Sequence, residues 1–102
     1  MNKRLAFLEN MTASGKADAF AWYGLALEYR REGRMGDALA TFTHLRGLHA
    51  DYLPMYLMAG QILTDEQRPD EAREWLEAGI ALAQAQSNTH ALGELESALA
   101  LC

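Results

Sequence analysis

His44, His49, His90 and Cys102 are the soft ligands of this 102-residue chain, and holding a metal is the first chemistry they suggest. Their spacing opposes it. A helical metal pair needs ligands at i and i+3 or i+4, and neither Cys-x-x-Cys nor His-Glu-x-x-His occurs. Asp65, Glu66, Asp70, Glu71 and Glu74 crowd carboxylates as general acid–base catalysis requires. A turn followed by a helix start explains the same run, because the helix dipole favours anions in the first turn. Ser14 and Ser87 lack the context of a nucleophile elbow, Gly33-x-x-Gly36 is too short for a phosphate loop, and Cys102 has no neighbour to activate it. The expectation is a chain without catalytic residues, metal or cofactor.

Charge narrows the partners. Nine Lys and Arg stand against fourteen Asp and Glu, for a net charge of −5, and no basic cluster appears. Nucleic acid and anionic membranes are therefore poor partners, since phosphate binding draws its affinity from grouped cations. No stretch has the length of a membrane span. Met1-Asn2-Lys3-Arg4 opens like a signal peptide, but Glu9 and Asn10 end the apolar run Leu5–Leu8 too early. A single cysteine forms no intrachain disulfide, so a reducing cytoplasm is the expected compartment.

Any site must be positioned by helices, for no strand-like alternation occurs. Leu5, Leu8 and Met11 share one face of a short helix that Gly15 closes. Asp18 caps a second helix, dense in Phe20, Trp22, Tyr23, Leu25, Leu27 and Tyr29, which must be covered on more than one side. A break at Glu32–Gly36 precedes a third helix with Asp37 near its start and Ala38, Leu39, Phe42 and Leu45 inward. Asp51 is the expected cap of a fourth, with Pro54 in its first turn and Tyr56, Ala59, Gly60, Ile62 and Leu63 inward. Pro69 begins a fifth, facing the core with Ala72, Leu76, Gly79, Ile80 and Ala83. Ser87 or Asn88 caps a sixth containing Leu92, Leu95, Ala98 and Leu99.

Trp22, Leu25, Ala26, Tyr29, Gly33, Ala38 and Phe42 recur 34 residues later as Tyr56, Ala59, Gly60, Leu63, Gln67, Ala72 and Leu76. Small residues at Ala26 or Gly60 and at Ala38 or Ala72 let paired helices approach, while Trp22 or Tyr56 and Phe42 or Leu76 fill the space beside them. The pattern resembles the tetratricopeptide repeat, with its Trp, Leu-Gly, Tyr, Ala and Phe signature. It departs at Gln67, which replaces the turn glycine, and at Ala50 and Gln84, where the signature closes with proline. Subtracting 34 from Leu39, Phe42 and Leu45 gives Leu5, Leu8 and Met11, a half repeat in which Arg4 stands in place of Ala38. Adding 34 to Tyr56 and Gly60 gives His90 and Glu94, where the signature is lost. The expected organisation is one all-α domain over 1–102, a short right-handed superhelix of about six helices. It comprises a half-repeat helix at 1–15, repeats at 19–52 and 53–86, and a capping helix at 87–102.

The resemblance implies a noncatalytic interaction module whose first helix in each repeat lines a groove for an extended peptide or an amphipathic helix. That groove would carry Phe20, Tyr23, Leu27, Arg30 and Arg31 from one repeat and Leu57, Gln61, Thr64 and Asp65 from the next. Chaperone-binding members clamp a C-terminal carboxylate with Lys and Asn; Tyr23 and Leu27 stand at the corresponding sites here, so that activity is not implied. Phe20, Tyr23 and Leu27 lie opposite the Trp22, Leu25, Tyr29 packing side. They are either covered within the chain or exposed as an apolar patch for a protein partner or a second copy of this chain, forming a homo-oligomer.

Overall fold

The computed structural model describes Asn2–Cys102. Among the described residues every regular element is a helix: α1 (Lys3–Ala13), α2 (Ala19–Arg31), α3 (Met35–Leu48), α4 (Pro54–Asp65), α5 (Pro69–Ala85) and α6 (Thr89–Leu101). They form two compact units that divide between Tyr52 and Leu53. In the first, α2 packs against both α1 and α3; in the second, α4, α5 and α6 pack against one another.

Short polar side chains start three of the helices. Asn2, Asp18 and Asn88 accept from the backbone N–H of Leu5, Ala21 and Ala91 at 2.9, 2.9 and 3.0 Å. Asn88, rather than Ser87, is thus the cap of α6. Asp51 does not cap α4: that helix begins at Pro54, Leu53 holds the cap position, and no side chain accepts there. A cap must sit immediately before the first helical residue to reach the second or third N–H, and Asp51 lies too far upstream. Proline offsets the loss, because its ring presets the helical φ and it has no N–H to satisfy.

Three helices end in one turn. Arg34, Arg68 and Asn88 each donate a backbone N–H to the carbonyl of Tyr29, Leu63 and Ala83, all at 2.9 Å. The residue before each lies in the left-handed region: Gly33 at φ 77°, Gln67 at 59° and Ser87 at 54°. These are Schellman closures, which favour glycine, yet two of them use a residue with a Cβ.

The first unit buries Leu25, Ala26, Ala38, Phe42 and Leu45. From α1 it takes Leu5 and Leu8, with Trp22 and Tyr29 packed against the cluster. Met11 stays half-buried where sequence periodicity puts it inward, and Thr12 is buried instead. Seven residues make nearly two turns, so Thr12 falls on the face of Leu5, and its hydroxyl donates to the Leu8 carbonyl at 2.9 Å. In the second unit Tyr56, Ala59, Ile62 and Leu63 meet Ala72, Trp75, Leu76 and Ala83 in the core. Two glycines allow the approach. A Cβ on Gly60 would stand 2.6 Å from Leu76 Cγ, and one on Gly79 would stand 2.7 Å from Tyr56 Cβ and 2.9 Å from Leu95 Cδ2.

The sixth helix buries Leu95 while Glu94, the match of Gly60, is exposed. One residue is about 100° of helix, so α6 uses a different face from α4. Leu92, Ala98 and Leu99, the other apolar residues of this helix named with Leu95, are half-buried.

Candidate functional site

The spacing of Phe20, Tyr23, Leu27 and Arg30 puts them on one side of α2, away from buried Leu25. Phe20, in the first turn, is 72% exposed. Tyr23 is half-buried, its ring 6.1 Å from Phe42 of α3 and 5.4 Å from Tyr52, which follows α3. Both separations suit tilted aromatic pairs. Burial foremost, and then Tyr52, raises the Tyr23 phenol above its ordinary pKa, against an opposing pull from Arg30. Leu27 and Arg30 are half-buried beside it. The face is an apolar strip with an aromatic floor and a cation at its end.

Arg31 has another attachment. Its Nε lies 3.7 Å from Glu28, whose side chain is only 5% exposed. Glu28 also accepts from Asn2 Nδ2 at 2.9 Å and lies 3.4 Å from Arg4 Nε. Arg4, which stands in place of a small residue of the repeat, therefore joins α1 to α2 by charge. Sequence reasoning missed Glu28, and the signal was that substitution: a cation at a seam position calls for a buried anion opposite.

A second tie links the same helices. Tyr29 Oη donates to Glu9 Oε2 at 2.7 Å, and the Arg34 guanidinium lies 4.6 Å from the Tyr29 ring centroid. Burial first, and then the Glu9 bond, push the Tyr29 phenol up to about 12.

On α4, Leu57, Gln61 and Thr64 are all half-buried and Asp65 is exposed. The Thr64 hydroxyl is spent on the Gly60 carbonyl at 2.8 Å. This face is the more polar, with Gln61 at the place of Leu27 and Thr64 at that of Arg30. The acidic run serves the start of α5: Glu71 accepts from Arg68 Nε at 2.9 Å, and Asp70 lies 3.3 Å from Arg73 Nη1. The Arg68 bond holds the Glu71 carboxyl below its usual range. Among the described residues no group of three His, Cys, Asp or Glu gathers as metal ligands, and no helix is long and apolar enough to cross a membrane.

The sequence profile of the Tetratricopeptide repeat family matches residues 29–95, more than half of the chain. A crystal structure of a tetratricopeptide repeat domain protein from Salinibacter ruber is 30% identical, covering 80% of this chain and 92% of that one, with a TM-score of 0.76. The solution structure of a tetratricopeptide repeat domain protein from the same organism is also 30% identical, covering 80% and 83%, with a TM-score of 0.77. A Bordetella parapertussis protein solved in solution matches 97% of this chain and 86% of its own at 23% identity and a TM-score of 0.82, a likeness of fold alone. No curated protein matches the sequence.

Proposed function

This chain belongs to the tetratricopeptide repeat family, whose members in general bind proteins, and from that premise we propose that its α2 face receives a peptide or an amphipathic helix. The observation that carries the reading is Phe20, 72% exposed at the head of a strip continued by half-buried Tyr23 and Leu27. A large aromatic left in water beside further apolar surface is the mark of an association site. Tyr23 supplies a rigid ring at low entropic cost, and Arg30 gives the strip a polarity that orients what lies on it. Leu57, Gln61 and Thr64 of α4 form a more polar face within the second unit, suited in this reading to adaptable contacts with a protein partner. The proposed function is noncatalytic. A single cysteine suits a reducing cytoplasm.

The test is capture from the source cell with wild-type chain and with Phe20→Glu and Leu27→Glu. Loss of the captured protein with unchanged circular dichroism supports the assignment. Capture that survives both variants removes this face as the site. Were the wild-type chain instead a dimer that Phe20→Glu dissociates, the strip would belong to a second copy, as a structural homo-oligomer requires.

A further inference from the structure

Residues 34 apart show what α1 and α6 lack. Ala38, Thr41 and Leu45 of α3 are buried against α2, at 0%, 8% and 0% exposure. Their matches on α1 are Arg4, Phe7 and Met11: the Arg4 side chain is 69% exposed, Phe7 is 60% exposed and Met11 is half-buried. At the other end, Tyr56, Ala59, Gly60 and Leu63 of α4 are all buried, whereas their matches His90, Gly93, Glu94 and Ser97 on α6 are all exposed. Thus α1 presents the inner face of a second hairpin helix, and α6 presents that of a first. Among the described residues neither has the helix that would complete its hairpin.

Chemistry pairs the two faces. The helix α1 opens with Lys3 and Arg4, while α6 contains Glu94 and Glu96 and no Lys or Arg; indeed none occurs after Arg73. The contacts of α4 with α5 give the register. Tyr56 and Trp75 form a tilted ring pair with centroids 5.8 Å apart. The matching residues are His90 on α6 and Phe7 on α1. Beside His90, Gly93 has nothing within 4 Å of where a Cβ would be, leaving room for a bulky ring. Arg4 and Glu94 fall at the places of Ala72 and Gly60, so both departures from small residues occur at one seam and with opposite charge.

We propose that copies of this chain associate head to tail, the outer face of α6 on one receiving the outer face of α1 on the next. Phe7 lies against His90 and over Gly93, and the exposed part of the Arg4 guanidinium meets Glu94, whose ion pair within the chain is to exposed His90 at 3.4 Å. The joined pair forms a hairpin of the kind made by α2 with α3 and by α4 with α5. The contact is heterologous, so each copy offers two different surfaces. The α2 strip takes no part.

Sedimentation velocity from low to high micromolar concentration reads the association, with circular dichroism to confirm folding. The wild-type mass rises with concentration and falls back with added salt, as exposed ion pairs are screened. Glu94→Arg and Phe7→Glu, both at exposed positions, each weaken the association by about tenfold or more, the scale expected for a repulsive or desolvated charge at a contact. Mixing the two variants restores an equimolar complex that does not grow, because each brings the surface the other has lost. A wild-type chain that is monomeric throughout overturns the proposal. So does association that survives both substitutions, or a mixture that stays monomeric while its parent assembles. Phe20→Glu, at an exposed position on α2, leaves the assembly intact, which separates this contact from the α2 strip.

Discussion

Tyr29 joins α1 to α2 through a neutral phenol, and its ionisation tests that tie. Its pKa of about 12 in the folded chain stands above the value of about 10 for an unfolded tyrosine. A raised folded-state value means the contribution is complete below pH ~10 and is lost as pH climbs through ~12. In an ultraviolet absorbance titration, Glu9→Gln should lower the last tyrosine transition; an unchanged titration would dissociate the shift from Glu9. Gln67 gives a second residue-scale outcome. It holds φ 59° in a turn that Gly33 makes without a Cβ. Gln67→Gly should raise stability by about 0.5–1 kcal/mol, the left-handed strain removed less the entropy glycine adds to the unfolded chain. Thermal melts measure it. That Gln67 occupies the turn was legible from its match with Gly33. Glu28 was not, because its ties run to Asn2, Arg4 and Arg31 and only the folded α1–α2 pair brings all three together.

Helix pairing makes opposite demands on two glycines in the first helices of the repeats. On α2, a Cβ at Gly24 would meet Leu8 Cδ2 at 3.8 Å, an ordinary contact, so Gly24→Ala should stabilise by about 1 kcal/mol through helix propensity. On α4, a Cβ at Gly60 would stand 2.6 Å from Leu76 Cγ, and Leu76 is wholly buried. Gly60→Ala should therefore destabilise by about 1–3 kcal/mol despite the same propensity gain. Urea denaturation of the two variants checks the difference in sign. Sequence disclosed these seams well, since small residues at fixed spacing are read directly from the register. It disclosed helix ends less well: Asp51 looked like a cap on composition alone, but the position of Pro54 decided where α4 begins. Met11 failed for a related reason, as a three-residue step drifts around a helix and Thr12 lies closer to the axis set by Leu5.

Across the whole molecule burial is uneven. Helix α1 buries only Leu5, Leu8 and Thr12, whereas α4 and α5 bury at least five residues each. Local opening follows the number of buried contacts. Helix α6 buries only Leu95, so amide hydrogen exchange should be faster in α1 and α6 than in α4 and α5; uniform protection along the chain would contradict this gradient. The repeat class, the helix count and the loss of signature in α6 were all legible at this scale because a 34-residue register integrates many weak signals. The α2 strip was legible only as a choice between covered and exposed, since apolar spacing marks a face without saying what lies against it. The answer is divided, with Phe20 in solvent and Tyr23 drawn toward Phe42 and Tyr52.

Leu27, Gln61 and Leu95 are one register position in three successive copies, and only Leu95 is buried, seated at Gly79 beside Tyr56. A helix that replaces α6 must bring a branched apolar side chain to that socket. Duplicating residues 53–86 would offer glutamine there instead. Lengthening the array by gene duplication therefore demands a compensating substitution at the junction, because the contact of α5 with α6 rests on the fit of one leucine to one glycine.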